Sequence, residues 1–200
     1  MRLPLMSLTA FVALAAAFPA LAAAPPAAAP EFAIADTTGK PVKLADYRGK
    51  FVVLEWTNPE CPFVRKHYNS KNMQELQKEW GAKDVVWLTI NSTNATHSEY
   101  KNGDEMASWT RAQGASPKAT LIDGTSATAR AYGAKTTPHM FVVDPAGKLL
   151  YNGAIDDKRS SNPADAKTAN NYVRAALVEA TAGKPVTVAS TTPYGCSLKY

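Results

Sequence analysis

The sequence predicts an α/β fold, a mixed central sheet with helices on both faces. Strand and helix patterns alternate along the chain. Residues 51–56 and 85–90 are apolar along nearly their whole length, as strands covered on both faces must be. The segments that separate them are long enough for right-handed crossovers, which place the first of these strands parallel. The 200 residues are 46% hydrophobic, enough for one core and too few for two ordinary domains.

The elements follow in order. Residues 32–35 and 42–44 flank Thr38-Gly39-Lys40 and read as an opening hairpin. The strand at 51–56 comes next. Val64, Tyr68, Leu76 and Trp80 fall at helical spacing over residues 62–80, with a bend or break near Asn69-Ser70-Lys71-Asn72. The strand at 85–90 precedes a helix over 103–114 that places Met106 and Trp109 on one face. Residues 119–122 form a short strand and 126–132 a short helix. Residues 139–143 and 149–155 flank Asp144-Pro145-Ala146-Gly147 as a second hairpin. A polar loop at 156–167 leads to a last helix over 169–182. Residues 184–200 form a tail without helical periodicity.

Met1-Arg2, an apolar run over residues 3–18 and the small-residue site Ala20-Leu21-Ala22 make residues 1–22 a secretory signal. The run is short for a membrane span of about 20 residues, so no stable span is expected after cleavage. Residues 23–30 contain only Ala and Pro and read as a disordered spacer. The folded domain is then 31–183, followed by the tail 184–200. The expected location is secreted and periplasmic. The net charge is +5, with both signs interspersed, so no nucleic-acid stripe or polybasic membrane patch is present.

The two cysteines are Cys61 and Cys196. In an exported protein, two cysteines usually form one structural bridge. The surroundings of Cys61 favour a reactive thiol instead. The strand ends at Trp56, a turn follows, and Cys61-Pro62 opens a helix. Pro suits a first helical position, and the free N–H groups of a helix start favour a thiolate. Lys66 and His67, one turn on, would add positive charge. Further along, Pro138 directly precedes a strand. It reads as a cis proline beside another loop, or as a trans proline at a strand start.

Strand, Cys61-Pro62 at a helix start, and Thr137-Pro138 before a hairpin turn together resemble the thioredoxin fold. The chain is similar, more narrowly, to the redoxin group. That group holds peroxiredoxins of the alkyl-hydroperoxide-reductase/thiol-specific-antioxidant type and their relatives. Residues 35–40, residues 44–50 and the ending Tyr194-Gly195-Cys196-Ser197-Leu198-Lys199-Tyr200 carry the likeness.

The resemblance implies a thiol-dependent oxidoreductase. Cys61 attacks, Pro138 borders the sulfur, Glu55 relays protons from a buried position, and Cys196 resolves. Trp56, Thr57, Pro62 and Thr137 would line the substrate site. No cofactor is implied. The partners would be a thiol protein as electron donor and a peroxide or protein disulfide as substrate, with a homodimer open.

Some family positions differ. Thioredoxins carry a second Cys where Val64 stands. Peroxiredoxins carry Thr or Ser at the place of Asn58 and Arg at the place of Pro138. Peroxide reduction and disulfide exchange therefore both stand. So does a non-catalytic module that binds a peptide or metal, with a structural Cys61–Cys196 disulfide. His67, His97 and His139 with Cys61 would suggest copper, but such sites need a second nearby Cys. Glu55 could equally lie at an exposed edge.

Overall fold

The computed structural model describes residues 27–200. The signal segment lies outside the described residues, as does the spacer up to residue 26.

Among the described residues, nine strands and five helices follow the predicted order closely. They are β1 (Ala33–Asp36), β2 (Pro41–Lys43), β3 (Val52–Trp56), α1 (Pro62–Asn69), α2 (Asn72–Gly81), β4 (Val86–Asn91) and α3 (Gly103–Ala112). Then come β5 (Ala119–Ile122), α4 (Ala127–Tyr132), β6 (Thr136–Thr137), β7 (His139–Val143), β8 (Leu149–Gly153), α5 (Tyr172–Thr181) and β9 (Cys196–Ser197). Short 3-10 turns cover Leu44–Tyr47 and Pro163–Lys167. The expected break in the first long helix is real. Lys71 adopts a left-handed φ of 66° between α1 and α2.

The main sheet has seven strands in the order β2-β1-β5-β4-β3-β7-β8. β3, β4 and β5 are parallel; β1, β2, β7 and β8 pair antiparallel to their neighbours. Side chains alternate across β3. Val52, Leu54 and Trp56 join one core with Leu88, Ile90, Ala129 and Phe141. Val53 joins the other, with Cys61, Val64, Tyr68, Leu76, Trp87, Val173 and Leu177. Two covered faces explain the unbroken apolar run: neither face of β3 meets water. The period of two also sends Glu55 to the same face as Val53, beneath α1 and α2.

One expectation needs correction. The spacer is structured at its end. Ala29 N–H donates to Gly147 O at 2.9 Å, Leu149 N–H donates to Ala27 O at 2.8 Å, and Ala29 is buried. A small side chain lets this strand-like piece lie against the hairpin turn. The tail is ordered too, although it lacks periodicity. Cys196 and Ser197 pair antiparallel with Thr137 and Thr136, forming a two-stranded sheet beside the main one.

Gly195 makes that pairing possible. Its φ is +144°, and a Cβ at this position would lie 2.0 Å from Thr137 O. Gly195→Ala is expected to lift β9 from β6 while the sheet persists. Alkylation of Cys196 should accelerate by about tenfold, with the melting of the core little changed. Unchanged alkylation would show that the close approach is dispensable.

Candidate active site

Cys61 is the N-cap of α1, with Pro62 at the first helical position. β3 delivers the chain to this point through a tight loop. Thr57 N–H donates to Ile90 O, and Cys61 N–H donates to Asn58 O. Asn58 braces the loop: its Oδ1 accepts from Glu60 N–H at 2.7 Å, and its amide donates to Glu99 at 2.9 Å and Thr93 at 3.3 Å. Cys61 is 2% exposed. Its sulfur makes no cap bond with the helix; the thiol donates to Thr137 O at 3.0 Å.

Thr137 stands at the meeting of three features. It precedes Pro138 through a cis peptide, one of the two geometries the sequence left open. Its carbonyl accepts from Cys61, and its backbone is in register with Cys196. The half-buried Cys196 therefore packs against the Cys61 thiol. Burial and the adjacent Cys61 sulfur push the Cys196 thiol up to about 12. Both cysteines are free thiols in this structure.

Glu55 is fully buried, not at an edge. Its carboxylate accepts from Tyr68 Oη and Trp87 Nε1, both at 2.8 Å, from Thr89 Oγ1 at 3.2 Å and from Gln77 Nε2 at 3.3 Å. Burial pushes its carboxyl up to about 7, and those donors limit the rise.

The expected substrate-contacting set is mostly interior. Trp56 packs among Tyr132 and Phe141, and its indole N–H donates to Ser92. Thr57, Thr137 and Pro138 are buried as well; Pro62 alone of the set is exposed. Trp56 points into the core face of β3, and β9 covers the Thr137 edge, so these residues do not line an open groove.

Lys66 and His67 also differ from expectation. Burial, with the Lys66 charge behind it, pushes His67 down to about 3, so its ring is neutral at pH 7. The Lys66 ammonium is fully buried and committed to Asp156, to Lys158 O and to the Tyr194 hydroxyl. Sequence reasoning passed over this cluster. A charged residue inside a helix and an aspartate in a polar loop both read as solvated, and no spacing signal joined them. His139 is buried and likewise pushed down, to about 4, chiefly by burial. The tail does bring a second sulfur to Cys61. Even so, no group of three or more His, Cys, Asp or Glu among the described residues is placed to hold a metal.

A model of the AhpC/TSA family matches residues 25–152. The chain belongs to the AhpC/TSA family. The match takes in Cys61, Glu55 and Pro138 and ends before Asp156, Tyr194 and Cys196. No curated protein matches the chain.

An uncharacterized conserved protein from Geobacillus kaustophilus is similar at 29% identity. It covers 88% of this chain and 91% of its own, with a TM-score of 0.77. A hypothetical protein from Sinorhizobium meliloti shares the fold at 23% identity, covering 90% and 96%, with a TM-score of 0.75. A candidate thiol:disulfide interchange protein DsbE from Chlorobium tepidum is 26% identical over 76% of this chain and 94% of that one, with a TM-score of 0.57. The fold of this AhpC/TSA member is thus thioredoxin-like.

Glu55 generates a pH dependence. Its folded-state value near 7 lies above the ordinary 4.5. Between these values the unfolded chain has released this proton and the folded chain has kept it. Stability is therefore full below about 4.5, falls as pH rises toward 7, and is level beyond. In urea unfolding at pH 4.5 and pH 8, Glu55→Gln is expected to remove a loss of about 3 kcal/mol that the wild type shows. An equal loss in both proteins would mean that Glu55 holds its proton alike in the folded and unfolded chains.

Proposed function

We propose that this protein is an exported thiol:disulfide oxidoreductase that cycles between a Cys61–Cys196 dithiol and disulfide. The observation that carries this reading is the register of the tail. Cys196 sits opposite Thr137, whose carbonyl accepts from Cys61. The register sets Cys196 beside Cys61, whose sulfur helps to raise the Cys196 thiol.

In the cycle, the Cys61 thiolate attacks a substrate disulfide and one substrate thiolate leaves. Cys196 gives up its proton and attacks the Cys61 sulfur of the mixed disulfide, and the second substrate thiolate leaves. The substrate gains two electrons and the protein holds one new S–S bond. A partner dithiol reverses the change. Glu55, with a carboxyl near neutrality, is the buried group suited to taking up a proton on this face of the sheet. No hydrogen bond joins it directly to Cys61, so its part is that of a relay.

Disulfide exchange is favoured over peroxide reduction by what surrounds Cys61. Asn58 is spent on bracing the loop. Arg65, on the first turns of α1, donates to Pro59 O and Glu60. Neither is free to polarise a peroxide. The burial of Cys61 and the family match support peroxide as a second reading, because a small oxidant needs little space. In that reading the Cys61 thiolate takes one peroxide oxygen as a sulfenic acid and the other oxygen leaves as water. Cys196 then displaces the sulfenic oxygen as a second water. Export rests on residues 1–22.

The test compares purified, reduced wild type, Cys61→Ser and Cys196→Ser, each mixed with one equivalent of oxidised glutathione or of hydrogen peroxide. Free thiols and intact mass are followed. With glutathione, wild type should lose two thiols and yield a Cys61–Cys196 peptide. Cys196→Ser should stop at a Cys61–glutathione adduct. Loss of both thiols to peroxide within seconds would instead establish the peroxidase. A bridge that resists reduction at potentials below about −300 mV would mark a structural staple and sink both readings.

A further inference from the structure

Tyr194 stands two residues before Cys196 and enters a cluster closed to water. Its hydroxyl donates to Asp156 and accepts from Lys66 Nζ at 3.0 Å. Lys66 Nζ also reaches both Asp156 oxygens, at 3.0 and 3.2 Å, and Lys158 O at 2.6 Å. His67 Nε2 lies 3.4 Å from the hydroxyl. Phe63 meets the Tyr194 ring edge-on at 5.9 Å, and the Arg159 guanidinium lies 6.0 Å from its centre. Phe63, Lys66 and His67 all belong to α1, the helix that Cys61 caps. One rigid element therefore carries both the redox sulfur and the anchor for the tail.

Burying an ion pair brings little net stability over an apolar packing. What this pair does bring is one geometry. A phenol held between a buried ammonium and a buried carboxylate has a single satisfied arrangement. Gly195, pressed on Thr137 O, transmits that arrangement to the next residue, Cys196.

We propose that Tyr194 is a positioning residue. Through the buried Lys66–Asp156 pair it holds Cys196 within bonding reach of Cys61, and so sets the effective concentration of one thiol for the other. The proposal rests on the dithiol cycle above. Ordering the tail costs conformational entropy, and the anchor meets that cost before the S–S bond forms. Loosening the anchor shifts the equilibrium toward the dithiol.

The experiment equilibrates the full chain with mixtures of reduced and oxidised glutathione. In the balanced reaction, two protein thiols and one oxidised glutathione give one protein disulfide and two reduced glutathiones. Acid quenching and alkylation read the ratio. Tyr194→Phe keeps the ring and loses the hydroxyl. It is expected to lower the equilibrium constant by about tenfold, equivalent to about 30 mV. Phe63→Leu should act in the same direction by about threefold and covers the case in which Tyr194→Phe folds poorly.

Tyr132→Phe is the control, since it also forfeits one hydroxyl hydrogen bond, to Pro30 O at 2.8 Å, in which no tail residue takes part. Its constant should match wild type although its melting temperature falls. An unchanged constant in Tyr194→Phe and Phe63→Leu, or an equal shift in Tyr132→Phe, overturns the proposal alone. A wild type that forms no Cys61–Cys196 disulfide overturns the dithiol cycle with it.

Discussion

Two residues of the tail pair with two residues before Pro138, and what Cys61 can meet depends on that short ladder. Without it, Thr136–Thr137 would be an open strand edge beside a sulfur. With it, the backbone groups of this edge are satisfied, Cys61 is nearly sealed, and a second thiol is delivered to the first. The ladder is too short to hold by its own hydrogen bonds. It is held from both sides. Tyr194 is bonded in the Lys66–Asp156 cluster upstream, and Leu198 N–H donates to Lys135 O downstream.

Beneath the ladder, the alternation of β3 sorts the chemistry. Trp56 goes to one core and Glu55 to the other, although they are neighbours in sequence. A carboxyl placed on the face under α1 and α2 is cut off from water and draws donors from Tyr68, Gln77, Trp87 and Thr89. These bonds make the burial tolerable without making it neutral, which is why the carboxyl stays shifted upward. The same face holds Cys61, so proton chemistry and sulfur chemistry share one side of the sheet.

The order and type of nearly every element could be read from the sequence, because periodicity and turn residues are local. Lys71 in a left-handed conformation confirms the break expected between the first two helices. The helix-capping Cys61 was legible for the same reason, whereas Pro138 left two geometries open, of which the cis one is found. What escaped reading is long-range. Nothing near Lys66 announces Asp156 or Tyr194, and a charged side chain is normally read as solvated. The tail lacks periodicity because its order comes from partners elsewhere: Thr137, Lys135 and the α1 cluster. The family resemblance put Trp56 and Thr57 at the substrate site. The pleat turns Trp56 inward, and the braced loop buries Thr57.

The place of β9 outside the main sheet has a consequence for assembly. The main sheet, α1 and the helix-capped Cys61 involve residues up to α5, and all of them can form before residue 194 takes part. β9 pairs with β6 alone, so its docking needs the framework in place, whereas the seven strands of the main sheet pair without it. Until β9 docks, the molecule is a species in which Cys61 is in place, its strand edge is bare and its partner thiol has not arrived. In an oxidising compartment that species is the one most open to pairing with a foreign thiol or a second copy. Docking of the last seven residues brings that interval to an end.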